Sequence, residues 1–124
     1  MNLNQNIVKD KLTSVIIAAI QDKKGQDITV IDLSKIESSP APTLIICQAR
    51  STSQVSAVAD NVRDEVSKEL KIKPYAVDGY RNSQWIIVDF GSVMVHIFLP
   101  EPREFYRLED LWSDGEITEI PNID

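Results

Sequence analysis

Residues 84–99, QWIIVDFGSVMVHIFL, decide the fold. Two β-branched, apolar runs flank Gly91-Ser92, and a two-residue type II′ turn takes glycine at its first central position. That turn makes 84–90 and 93–99 an antiparallel hairpin and sets its register. Phe90 opposes Val93, Asp89 opposes Met94, Ile87 opposes His96, and Trp85 opposes Phe98. Side chains alternate along each strand, so Ile86, Val88, Phe90, Val93, Val95, Ile97 and Leu99 share one wholly apolar face, which must be core. The other face combines Trp85, Ile87, Asp89, Met94, His96 and Phe98. Core faces rarely mix these types, whereas the centres of protein interfaces favour aromatics with a few placed polar groups.

Downstream, Pro100 and Pro102 stop the second strand, and the pattern predicts one short helix from about Arg103 to Trp112. Phe105, Leu108 and Trp112 would pack that helix on the sheet, leaving Tyr106, Glu109 and Asp110 to point elsewhere. Arg103 can bridge to Glu101 or Asp89, or reach a partner; the sequence leaves these open. Residues 113–124 show no periodicity and read as a loose acidic tail, so residues 1–114 are taken as the single domain and 115–124 as the tail.

Upstream, Leu12, Val15, Ile16, Ala19 and Ile20 recur at helical spacing, predicting a helix over 6–24 with Gly25 as its C′ residue. Residues 28–33 form a short β-branched strand, and Ser38, Ser39, Pro40 and Pro42 impose a loop. The continuous apolar run 43–49, TLIICQA, suits a strand covered on both faces. Ser51 and Gln54 form a capping-box pattern that opens a second helix, whose stripe of Val55, Val58, Ala59, Val62, Val66 and Leu70 runs through residue 70. Residues 75–77 then give a short strand before the Asp78-Gly79 turn. This order of elements predicts an α/β (α+β) architecture, a mixed sheet of about five strands flanked by helices.

Charge is unevenly placed. Residues 1–100 carry 11 acidic and 11 basic side chains, while residues 101–124 carry 8 acidic and 2 basic, which accounts for the whole net charge of −6. A balanced body with an acidic, aromatic-rich end suits a basic protein partner or simply a solubilising tail. Bare nucleic acid suits it less, because phosphate binding calls for clusters of Lys and Arg, so little or no direct nucleic-acid contact is expected. At 124 residues the chain fits one domain with a proper core. No apolar run approaches a membrane span, and the charge-interrupted N-terminus resembles neither a signal nor a transit peptide. The single cysteine, Cys47, excludes an internal disulfide, and these features together point to a reducing cytoplasm.

Catalysis has little to work with. The four glycines are scattered, so there is no phosphate-cradling loop, and Cys47 lies inside an apolar strand where it behaves as a small hydrophobe. One histidine cannot make a His-based metal site, and no Asp-x-Asp pair exists; no cofactor is expected. His96 and Asp89 lie diagonally on the mixed face, where the carboxylate could orient the imidazole. Without a nucleophile beside them, a polar feature of an interaction face is the better reading than acid–base catalysis.

Taken together, Trp85-Ile-Ile-Val-Asp89-Phe-Gly91, Val93-Met-Val-His96-Ile-Phe98 and Arg103-Glu-Phe-Tyr106-Arg-Leu108-Glu109-Asp-Leu111-Trp112 closely resemble the Iojap family of ribosomal silencing factors. The match extends through Lys24-Gly-Gln-Asp27-Ile, Asp32-Leu, Ile45-Ile-Cys47, the Ser51–Gln54 helix start, Ala59-Asp60 and Gly79, from about residue 6 to 114. The chain departs from the usual pattern at Pro40-Ala-Pro42-Thr43, at Gln48-Ala-Arg50 and at Ser92. The resemblance implies a nucleotidyltransferase-like fold without enzymatic activity. It also implies binding to the large ribosomal subunit through its fourteenth protein, which would block subunit joining and silence translation when nutrients run short. The alternative it allows is a large-subunit assembly factor acting at the same surface. Trp85, Asp89, His96, Arg103, Tyr106 and Glu109 are the expected partner-binding residues, with aromatics as anchors and carboxylates pairing with basic side chains. A homodimer that buries the mixed face in the free protein is also possible.

Overall fold

The computed structural model describes residues 11–123, and the first five residues of the helix expected over 6–24 lie outside that range. The elements run α1 (Lys11–Asp22), β1 (Gln26–Asp32), β2 (Thr43–Gln48), α2 (Thr52–Leu70), β3 (Ala76–Asp78), β4 (Trp85–Asp89), β5 (Val93–Phe98), α3 (Pro100–Tyr106), α4 (Leu108–Leu111) and β6 (Glu116–Ile120). One sheet of six strands has the order β3-β4-β5-β2-β1-β6. All neighbours are antiparallel except β2 and β5, so the sheet is mixed as the sequence predicts.

The hairpin has the expected register, with Trp85 opposite Phe98, Ile87 opposite His96 and Asp89 opposite Met94. Gly91 supplies the turn with φ 87°, and the Phe90 N–H donates to the Val93 carbonyl at 2.9 Å. Alternation then divides the sheet into two faces. One carries Ile86, Val88, Val95 and Ile97 with Ile28, Val30, Ile45 and Cys47, and α1 and α2 pack against it through Ile16, Ile20, Val55, Val58 and Val62. The other carries Ile31, Leu33, Leu44, Ile46 and Phe98, covered by Leu108 and Trp112 from the segment after β5. Strand β2 lies between β5 and β1 and is buried on both faces, which explains its unbroken apolar run.

Both long helices end as their sequences direct, with two differences in detail. The Ser51 hydroxyl accepts from the Gln54 N–H at 3.1 Å, as a capping box requires, but the Gln54 side-chain Oε1 accepts from the Arg50 N–H at 2.8 Å, not from that of Ser51. The same amide donates to the Lys23 and Lys24 carbonyls at 3.1 and 3.2 Å, tying the start of α2 to the end of α1. Lys24, not Gly25, takes the left-handed position after α1, at φ 64°.

The C-terminal segment corrects two expectations. The single helix expected over 103–112 is two short ones, because Arg107 adopts φ 48° and breaks the helical path between them. The residues expected to form a loose tail include β6, which pairs antiparallel with β1 and places Ile120 opposite Ile28. Gly115 permits this return: a Cβ there would sit 2.7 Å from both Ile31 and Leu33 side chains. The sheet therefore has six strands where the sequence suggested about five.

A ladder of aromatic rings and its arginine brace

The mixed face of the hairpin carries a ladder of rings that climbs from core to surface. His96 is 6% exposed and Phe98 is fully buried. Trp85 stacks on Phe98 with centroids 4.8 Å apart and an interplanar angle of 22°. Tyr106, from α3, lies 4.8 Å from Trp85, and Phe105 meets Tyr106 edge-on at 5.0 Å and 85°. Tyr106 is 50% exposed and Phe105 79%, so the top of the ladder is open to solvent. Leu111 on α4 is likewise exposed. Glu101, Glu104 and Asp110 are exposed carboxylates of the same segment. An aromatic tip rimmed by negative charge therefore stands open at this end of the fold.

Lower down, the ladder is locked by a hydrogen bond that the sequence did not suggest. The Trp85 indole N–H donates to His96 Nδ1 at 3.0 Å, so that nitrogen is an unprotonated acceptor. Burial lowers the His96 pKa to about 4, against the smaller opposing pull of the Asp89 charge. Asp89 does not orient the ring by hydrogen bonding; its carboxylate accepts from the Gly91 N–H at 2.8 Å and stabilises the turn. Cys47 is buried and its thiol is pushed up to about 12, chiefly by desolvation, which makes it a poor nucleophile. Among the described residues no group of His, Cys, Asp and Glu side chains is placed to hold a metal ion. No described helix is long and apolar enough to cross a membrane.

Arg103 lies beneath α3 and acts inside the fold. Its side chain is 10% exposed, and Nε donates to Glu109 Oε2 at 3.2 Å, an ion pair whose carboxylate side chain is 31% exposed. Nη1 donates to the Asp27 carbonyl at 2.6 Å and to Gln48 Oε1 at 3.3 Å, and Nη2 donates to Thr29 Oγ1 at 3.1 Å. These partners surround a bulge in β1, where the register with β2 shifts between Gln26 and Thr29 and Asp27 takes φ 52°. The Asn122 side chain accepts from the Asp27 N–H at 2.8 Å and donates to its carboxylate at 3.2 Å, pinning the bulge from the other side. One guanidinium thus fastens α3 and α4 to the sheet, and through them the ring ladder.

Of the six residues the sequence singled out, the structure brings Trp85, His96 and Tyr106 into one ring cluster. Arg103 and Glu109 pair with each other, and Asp89 sits apart at the turn. His96 is inside the fold, where it accepts the Trp85 indole hydrogen bond. Phe105 was expected to pack on the sheet and instead stands exposed, because the break at Arg107 puts it out of phase with Leu108 and Trp112. It is the exposed aromatic that helical spacing could not find.

The comparisons with known proteins agree with this architecture. Residues 6–124 match the family model described as "Ribosomal silencing factor during starvation". The chain is 33% identical over 109 residues to the ribosomal silencing factor RsfS of Bacillus subtilis, covering 88% of this chain and 91% of that one. It is 31% identical over 113 residues to the mouse protein named mitochondrial assembly of ribosomal large subunit protein 1, covering 86% of this chain and 49% of that one. A crystal structure of a protein from Chromobacterium violaceum superposes with a TM-score of 0.78 at 34% identity, covering 83% of this chain and 84% of that chain.

Proposed function

Since the chain belongs to the family of ribosomal silencing factors, we propose that it binds the large ribosomal subunit through that subunit's fourteenth protein and blocks subunit joining. Repression of translation under nutrient limitation, in the cytoplasm, is the biological outcome of that block. The observation that carries the reading is the open end of the ring ladder, Phe105 and Tyr106, beside the exposed carboxylates Glu101 and Glu104. Ribosomal proteins are generally basic, so a desolvated aromatic anchor within an acidic rim is the complement such a partner requires. The role is one of occupancy and needs no catalytic group. Trp85 supports the anchor from below, with Phe98 and His96 holding it in turn.

The test is sedimentation of the purified protein with isolated large subunits, followed by addition of small subunits. Comigration with large subunits and fewer joined ribosomes is the expected result; absence of comigration overturns the partner. A second reading is favoured by the likeness to the mouse assembly protein: the same surface held during large-subunit maturation. Binding to large subunits with no effect on joining would select that reading.

A further inference from the structure

The ring ladder opens beside a groove of about 380 Å³ lined by Gln84, Leu99, Glu101, Pro102, Phe105 and Tyr106. Two segments form it, the residue before β4 and the end of β5 with α3. The Leu99 N–H donates to the Gln84 carbonyl at 2.9 Å, which ties one segment to the other. Leu99 and Pro102, both half-buried, supply apolar lining, and the exposed Phe105 and Tyr106 supply aromatic surface. The polar groups are the Gln84 amide and the Glu101 carboxylate. Both side chains are exposed, and among the described residues neither has a hydrogen-bond or ion-pair partner.

Glu101 is the one charged side chain of that lining. The cations of the surrounding segments are engaged elsewhere. Arg103 is turned inward onto the β1 bulge, Arg107 pairs with Asp110 at 3.2 Å, and Arg81 lines a neighbouring depression together with Asp78. His96 is buried with a pKa of about 4, and the sequence has no lysine after Lys73. Glu104 adds a second exposed carboxylate on α3. An anion is therefore repelled, and Pro100 and Pro102 remove two of the N–H groups that a helix start would offer it. A purely apolar side chain would take the Gln84 amide and the Glu101 carboxylate out of water without giving either a partner. A planar cation on an apolar stem satisfies rings, carboxylate and amide together. That group is the guanidinium of arginine, which stacks on aromatic rings and donates several N–H groups at once.

We propose that this groove receives one arginine side chain of the ribosomal partner protein, its guanidinium against the Tyr106 and Phe105 rings and donating to Glu101 and to the Gln84 side-chain oxygen. This assignment rests on the large-subunit reading, and it makes the groove the part of the surface that tells arginine from lysine.

The experiment titrates the full chain and its variants against the isolated fourteenth protein of the large subunit. Glu101→Gln should weaken binding roughly ten-fold, with no change in urea unfolding because its side chain makes no internal bond. Gln84→Glu, which adds a second carboxylate to the groove, should tighten binding about three-fold. Asp64→Asn, the same loss of charge on α2 at the other face of the sheet, should leave affinity unchanged. Phenylglyoxal modifies exposed arginines, and mapping its sites on the partner protein, alone and in complex, identifies those the chain shields. Each shielded arginine is then changed to lysine and combined with Glu101→Gln in a double-mutant cycle. One of them should lose at least about five-fold in affinity with Glu101 present and little of it without. Additive losses at every shielded arginine, or failure of Gln84→Glu to tighten binding, overturn the arginine groove and leave the partner reading standing. Failure of the unmodified chain to bind the isolated protein overturns both.

Discussion

Replacing Arg103 with alanine tests whether this side chain holds the fold or meets a partner. The structure assigns it four internal acceptors on Asp27, Thr29, Gln48 and Glu109. Truncation strands the Glu109 carboxylate and the Asp27 carbonyl, and leaves the buried Thr29 hydroxyl without its donor. Removing one member of a fully buried ion pair costs roughly 3–5 kcal/mol. Glu109 retains access to water, so the ion-pair part is discounted toward the surface range. With the hydrogen bonds to Asp27 and Thr29 lost as well, the expected destabilisation is about 2–4 kcal/mol. For a domain of this size that lowers Tm by roughly 8–15 °C. Urea unfolding followed by tryptophan fluorescence measures it, with the midpoint moving and the slope unchanged. A loss below about 0.5 kcal/mol together with abolished subunit binding would refute the argument and return Arg103 to the partner surface.

Phe105→Ala removes an exposed ring, so stability should change by less than about 0.5 kcal/mol while affinity for large subunits falls at least roughly ten-fold, read by sedimentation and denaturation on the same sample. Trp85→Phe keeps the stacking but deletes the donor to His96 Nδ1, and should cost about 1–2 kcal/mol in urea unfolding. His96 makes stability depend on acidity. Its folded pKa, about 4, lies below the ordinary 6.5, so the unfolded chain binds more protons between those values. Its contribution is complete above pH 6.5 and is lost as pH falls to 4; between pH 7 and 4.5 the loss is about 2–3 kcal/mol, and His96→Gln should lack it. Asn122→Ala removes both hydrogen bonds to the Asp27 bulge and should lower stability by about 1 kcal/mol, with amide exchange accelerating first in β6.

Local chemistry made the hairpin legible. Gly91-Ser92 between two β-branched runs leaves one loop geometry, and a period of two then places every side chain on its face, as the observed pairing of Trp85 with Phe98 shows. The Ser51–Gln54 start of α2 and the doubly buried β2 were equally plain, because a cap and an unbroken apolar run are properties of adjacent residues. The ring cluster was half legible. Trp85, His96 and Phe98 follow from register, but the indole–imidazole hydrogen bond depends on how α3 closes over them.

What the sequence by itself determined is the set of elements whose signals lie within a turn or a strand, and with them the family to which the chain belongs. Tertiary structure alone decided the rest. Residues 116–120 become a strand only because the edge of β1 is free to pair with them, and their own pattern carries no such instruction. Arg103 is internal because a bulge 76 residues earlier turns a carbonyl toward it. Phe105 is exposed because Arg107 adopts a left-handed conformation that no local preference requires. In each case the deciding partner is distant in sequence, so its energy enters only once the chain has closed on itself.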